Sequence, residues 1–162
     1  MSWELFIKWL PDFIEGAWLT LQLVGVSVVA GLFLALPLGI ARSSRLLAVR
    51  ALPYGYIFFF RGTPLLVQLF LVYYGMAQFE AVRESWMWPF LRDPYWCAII
   101  TMTLHTAAYI AEILRGAIQN VPAGEVEAAR ALGMSRYQAL RHIILPRATP
   151  LGFPPRRNKK MF

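Results

Sequence analysis

One cysteine, two histidines and nine acidic residues are all that this 162-residue chain holds of the side chains that build disulfides, metal sites and acid–base pairs. A lone Cys97 excludes an internal disulfide framework. No C-x-x-C pair or His/Cys cluster suggests a metal site, and no G-x-x-x-x-G-K-[ST] run offers a phosphate loop for nucleotide hydrolysis. Neither an internal repeat nor a low-complexity tract is present. Charge is missing over three long stretches: Ala17–Ala41 for 25 residues, Gly62–Phe79 for 18 and Pro94–Ala111 for another 18. A helix crosses the hydrocarbon core of a bilayer in about 20 residues, within a range of roughly 17 to 25. With 58% hydrophobic residues and a mean hydropathy of +0.49, the chain is too apolar for an ordinary soluble domain. Three spans are the economical reading. A cleaved signal peptide does not suit the first, because Glu4, Asp12 and Glu15 outnumber Lys8 ahead of it where a basic segment belongs.

The net charge of +7 raises nucleic acid as a partner, but its placement points to a membrane. Residues 42–61 carry Arg42, Arg45, Arg50 and Arg61 without an acid, and residues 112–162 carry nine Lys/Arg against Glu112, Glu125 and Glu127. Residues 80–93 are balanced, with Arg83 and Arg92 against Glu80, Glu84 and Asp93. The basic blocks follow the first and third spans, so the positive-inside rule puts them in the cytoplasm, the N-terminus outside and the C-terminus inside. The predicted fold is all-α: a polytopic membrane helix bundle of about three transmembrane helices with a cytoplasmic helix-turn-helix.

Along the chain, residues 1–16 read as a short amphipathic lead-in, with Trp3, Phe6, Ile7 and Leu10 at helical spacing and Trp9 and Trp18 suited to the interface. Gly16, Gly25, Gly31 and Gly39 permit close packing of the first span, and Pro37 suggests a kink near its end. The apolar run Ala51–Phe60 is too short to span; it lies in the interface or begins the second helix. Thr63 and Pro64 then read as N-cap and first residue of that helix, behind Arg61 and Gly62. Trp86, Trp88, Tyr95 and Trp96 form an aromatic belt around the outer loop. In the third span Thr101, His105, Tyr109 and Glu112 share one helical face, where polar groups at membrane depth line a bundle interior or a path. Glu112 has two readings: contact with a cationic substrate, or a pair with Arg115 three residues on.

Beyond the third span, Pro122-Ala123-Gly124 breaks the chain and a short helix is predicted from about Glu125 to Leu132, C-capped by Gly133. Ser135 and Gln138 have capping-box spacing, so a second helix starts near Arg136 and stops at Pro146. Tyr137, Leu140 and Ile144 share one face of it.

The segment Glu127-Ala128-Ala129, three residues, Gly133, nine residues, Ile143-Ile144-Leu145-Pro146 resembles the EAA loop of ABC importer membrane subunits. The run Arg61-Gly62-Thr63-Pro64-Leu65-Leu66-Val67-Gln68-Leu69-Phe70, with Tyr73-Tyr74-Gly75 behind it, resembles a hallmark of the polar amino acid branch of that family. Residues 77–85 are similar to the matching loop of histidine, arginine and ornithine permeases. Leu104-His105-Thr106-Ala107-Ala108-Tyr109 differs from the usual Leu-Asn-Thr-Ala-Ala-Tyr at the histidine.

The resemblance implies a bacterial inner-membrane permease subunit of a binding-protein-dependent importer for polar, basic amino acids, with no enzymatic role and no cofactor. Its implied partners are an ATP-binding subunit, a second permease subunit (identical or homologous), an extracytoplasmic solute-binding protein, the amino acid itself and membrane lipid, but no nucleic acid. Glu127, Ala128, Ala129, Gly133, Leu145 and Pro146 would couple to the ATP-binding subunit. Glu127 would make a polar contact there, and Ala129 and Gly133 would permit close approach. Residues 1–148 carry the likeness. Members continue with about two further transmembrane helices, so the chain reads as C-terminally truncated, with residues 149–162 an atypical polar tail. The alternative expectation is a non-transporting membrane protein that only binds the ATP-binding or permease partner.

Overall fold

The computed structural model describes residues 3–44 and 46–147; Arg45 and the polar tail expected at residues 149–162 lie outside them. Its elements are α1 (Trp3–Arg42), α2 (Leu47–Gly62), α3 (Leu65–Phe70), α4 (Glu80–Arg83), α5 (Trp88–Leu91), α6 (Pro94–Gln119), α7 (Ala123–Ala131) and α8 (Arg136–Ala139). A wide π turn, Leu71–Gly75, and a 3₁₀ turn, Met76–Gln78, extend α3; a second π turn, Leu140–Ile144, extends α8. Among the described residues there is no strand, as an all-α membrane bundle requires. Two helices are long and apolar enough to cross a membrane, Phe6–Arg42 and Pro94–Gln119, and the pair Leu47–Gly62 with Leu65–Gln78 makes a third if counted together.

Several local expectations need correction. No separate lead-in precedes the first span: α1 is one helix of 40 residues, about 60 Å long at 1.5 Å per residue. It passes through Pro37 without a break. The second span is not one straight helix. α2 and α3 meet at 109°, at Thr63-Pro64. Proline cannot donate a backbone hydrogen bond, and it drives the residue before it out of the α region. The third helix continues eight residues past Ala111 to Gln119.

The chain forms two compact units, residues 1–34 with 59–107 and residues 35–58 with 108–162. In the first, small residues of α1 let α6 approach. Ser27 is buried and its Oγ donates to the Ile99 carbonyl at 3.4 Å. A Cβ on Gly31 would lie 3.2 Å from Thr106 Cβ and 3.3 Å from the Ala107 nitrogen. In the second unit the same spacing of four residues brings up Ala35, fully buried, and Gly39, where a Cβ would meet Leu114 Cδ2 at 2.9 Å and the Ala111 carbonyl oxygen at 3.1 Å. Helices in lipid gain little from apolar burial against one another, so van der Waals contact across small residues holds such pairs together. Gly16 and Gly25 meet nothing within 4 Å. The packing role therefore falls to Gly31 and Gly39.

Gly39→Val should lower stability by ~1–3 kcal/mol, the cost of forcing extra methyl groups into a closed contact. Gly25→Ala, in open space on the same helix, should be neutral or stabilising. Thermal unfolding of the detergent-solubilised protein compares them; equal midpoints would remove the glycine contact from the account of this fold.

Candidate functional site

The EAA-like segment folds as the hairpin its capping residues dictate. α7 ends in a Schellman motif: Gly133 has φ +77°, its N–H donates to Arg130 O at 2.9 Å, and Met134 N–H donates to Ala129 O at 3.1 Å. The capping box that opens α8 is closed in both directions, with Ser135 N–H on Gln138 Oε1 at 2.8 Å and Gln138 N–H on Ser135 Oγ at 3.3 Å. The second helix does not stop at Pro146. Leu145 N–H reaches back five residues to Leu140 O, and this wide turn lets the chain stay helical through Pro146 to Arg147. Glu125, in the first turn of α7, takes the Arg147 guanidinium in a forked pair, with Nη2 at 3.0 Å and Nε at 3.2 Å. That carboxylate pushes the Arg147 pKa above its ordinary value.

Burial divides the hairpin. Ala129 is 3% exposed and Ala139 is buried, while Ile144 and Val126 pack beside Ala117 and Val121 of the same unit. Glu127 and Ala128 are exposed. So is Leu132 (81%), at the turn, and so is Tyr137 (66%). One placement differs from expectation. Tyr137 does not share the packed face with Leu140 and Ile144, because Ala139 occupies the position nearest the core. Ala129 is buried within the unit. Gly133 has open space around it, and its left-handed backbone is what calls for glycine. Leu132 was missed; a large apolar residue just ahead of a C-capping glycine was the available signal.

A second constellation lies in the first unit, at the break between α2 and α3. The end of α2 leaves carbonyls without intrahelical donors. Thr63 does not N-cap α3. Its Oγ1 turns back to donate to Phe59 O at 2.9 Å, and Pro64 stands at the N-cap position with no side-chain cap. Gln68, only 2% exposed, supplies the remaining donors: its Nε2 lies 2.9 Å from Phe60 O, 3.0 Å from Thr63 O and 2.7 Å from Thr63 Oγ1. Carbonyls only accept, so this side of the amide is NH₂ and Oε1 must face the other way. It faces His105 Nδ1 at 3.1 Å. His105 therefore carries a proton on Nδ1. The sequence marked this segment as a motif but left Gln68 without a role; a single amide in an apolar run, four residues after a helix-breaking proline, was the clue. Arg61 sits in the last turn of α2, where a cation meets the negative end of the helix dipole.

The polar face of α6 is not one continuous site. Thr101 is fully buried and donates to Cys97 O at 2.7 Å. His105 belongs to the Gln68 cluster. Tyr109 is partly exposed. Glu112 Oε1 receives Arg115 Nη2 at 2.6 Å and Nε at 3.0 Å, and Arg115 also bonds Gln119. The i,i+3 pair with Arg115 is thus present in the structure.

Residues 27–156 match the family model for the binding-protein-dependent transport system inner membrane component. The chain is a member of this family. It is 50% identical over 146 residues to the octopine transport system permease protein OccM of Rhizobium radiobacter, covering 90% of this chain and 58% of that protein. Over 162 residues it is 42% identical to the nopaline permease protein NocM of Agrobacterium fabrum, covering 99% and 67%. Identity to the histidine/lysine/arginine/ornithine permease protein HisM of Escherichia coli is 43% over 140 residues, covering 86% and 59%. A solved amino acid ABC transporter with histidines superposes with a TM-score of 0.73 at 32% identity, over 93% of this chain and 66% of that one. The MetNI methionine transporter, at 23% identity and the same TM-score, shows the shared fold alone. The chain spans about three fifths of the length of the first curated relatives it matches.

For this family member, Gln68→Leu should cost ~1–3 kcal/mol of stability, because it leaves buried carbonyls at the helix break without donors. Thermal unfolding in detergent measures it; a loss no larger than that of Val67→Ala, an exposed neighbour, would show that the amide does not hold the break. Glu112→Gln and Arg115→Gln should be non-additive, with a coupling of ~0.5 kcal/mol or more in a double-mutant cycle. Additive losses would return Glu112 to the list of groups held for another partner.

Proposed function

We propose that this chain is a membrane-spanning subunit of a binding-protein-dependent ABC importer for polar, basic amino acids, coupled to its ATP-binding subunit through the α7–α8 hairpin. The observation that carries the reading is the exposed face of that hairpin. Glu127, Ala128, Leu132 and Tyr137 stand out from a body that Ala129, Ala139 and the Glu125–Arg147 pair hold together. An acid, a small residue and two large apolar groups on a rigid two-helix unit suit docking into a groove on a soluble partner.

Family membership supports the partner set: the ATP-binding subunit below, a second permease subunit alongside, and a solute-binding protein delivering substrate from the other side. The names of the octopine, nopaline and histidine/lysine/arginine/ornithine relatives support the substrate class. The charge blocks support an inner-membrane orientation with the N-terminus outside and the hairpin in the cytoplasm. ATP-driven closure of the partner would push on the hairpin, and the hairpin would carry that motion into α6. His105, Tyr109 and Glu112 belong to this proposal as groups along the path, with Glu112 engaged by Arg115.

Glu127→Lys should reduce co-purification with the ATP-binding subunit by about tenfold or more, as expected for reversing a charge at a docking surface. Glu84→Lys, between α4 and α5, should leave it unchanged. Equal recovery of partner with both variants would remove Glu127 from the interface.

A further inference from the structure

From the end of α1 through α2 the chain carries charge of a single sign. Residues 42–61 hold four arginines and no acid. Within the second unit, the last residue of α1 and the first two turns of α2 enclose a cleft of about 420 Å³ lined by Arg42, Leu47, Arg50, Ala51 and Tyr54. The Arg42 guanidinium lies over the Tyr54 ring, 4.7 Å from its centroid, and this cation–π contact fixes the cation at the cleft wall. Arg42 Nε is buried without a hydrogen-bond partner. Among the described residues neither Arg42 nor Arg50 makes an ion pair. The unit's acids lie elsewhere: Glu112 takes Arg115, Glu125 takes Arg147, and Glu127 is exposed on α7. The cleft thus presents two guanidiniums and a phenol with no internal anion to meet them.

Its position adds a second constraint. Arg42 follows directly on the 25 uncharged residues of the first span, so the cleft stands where hydrocarbon gives way to water. At it Leu47, and just ahead of it Leu46, are exposed apolar groups. A ligand matched to both features has an anionic head and an apolar body. We propose that this cleft binds the phosphate head group of an anionic phospholipid, with Arg42 and Arg50 as its donors and the acyl chains along Leu46 and Leu47. Guanidinium presents N–H groups in a planar fork that matches phosphate oxygens, and basic pockets at the membrane boundary are where such head groups are recognised. The exposed leucines favour a lipid over an acidic peptide or a free anion. The inference needs only the membrane location, so it stands apart from the transport reading.

Native mass spectrometry of the full chain in a neutral detergent, with phosphatidylglycerol or phosphatidylcholine added, tests it. Phosphatidylglycerol should be retained with a preference of about tenfold, and the double variant Arg42→Gln with Arg50→Gln should lose that preference. Arg83→Gln with Arg92→Gln should keep it. If the first double variant does not fold, judged by helical circular dichroism, Tyr54→Leu carries the test, with a several-fold loss expected from freeing Arg42. Unchanged binding in the folded variants would overturn the proposal. So would displacement of the lipid by an equal concentration of inorganic phosphate, which would make this a free-anion site, or equal retention of phosphatidylcholine, which would leave the surface open to an acidic protein partner.

Discussion

A backbone carbonyl in apolar surroundings must find a donor, and the break between α2 and α3 has to meet that requirement. Two helices meeting at 109° leave the end of one and the start of the other without their regular bonds. The Gln68 amide and the Thr63 hydroxyl close that gap from within the same unit, using Phe59 O, Phe60 O and Thr63 O. Because the NH₂ side of Gln68 is committed to carbonyls, its oxygen is committed to His105, and the tautomer of that histidine follows. One proline thus sets the bend, the bend sets the demand for donors, and the donors orient a histidine of another helix. The histidine that departs from the usual asparagine in the Leu-Asn-Thr-Ala-Ala-Tyr pattern is accommodated by this chain of bonds.

Legibility from sequence followed the range of the forces involved. Charge-free runs, basic blocks and capping residues act locally, so the spans, the Gly133 cap and the Ser135–Gln138 box could be read directly. The reading of α8 went wrong where a local rule met a wider turn. A proline ends a regular α-helix, but the π turn Leu140–Ile144 carries the chain past Pro146. The same holds for Thr63, whose hydroxyl has a choice between capping forward and bonding backward. It bonds backward because the carbonyls at the end of α2 are the groups in need. Gln68 was legible only as a lone amide in an apolar run, since its partners, Phe60 and Thr63 across the bend and His105 on α6, depend on an angle that periodicity cannot supply. The split of the α6 stripe, with His105 in one cluster and Glu112 in another, was hidden for a similar reason: helical spacing places residues on a face but does not say what packs against it.

Small residues divide in the same way. Four glycines of the first span were equivalent by composition, yet only Gly31 and Gly39 meet neighbouring atoms. The spacing of four residues from Ser27 through Gly31 and Ala35 to Gly39 separates them from Gly16 and Gly25, because residues four apart stack on one helical face. Ala129 follows the same logic on α7.

The hairpin then gains a property that neither helix has alone. Its turn is locked by the Gly133 backbone and the reciprocal Ser135–Gln138 bonds, and its two ends are tied by Glu125 and Arg147 across 22 residues. The pair is thus held both at the turn and at the open end. On the packed side of the hairpin, Val126 and Ile144 sit against Ala117 and Val121. Ala117 and Val121 lie at and just beyond the end of α6, the helix that carries Glu112 and His105. Under the proposed docking, the exposed face would receive a push and the buried face would pass it on, with the capped turn between them limiting local give.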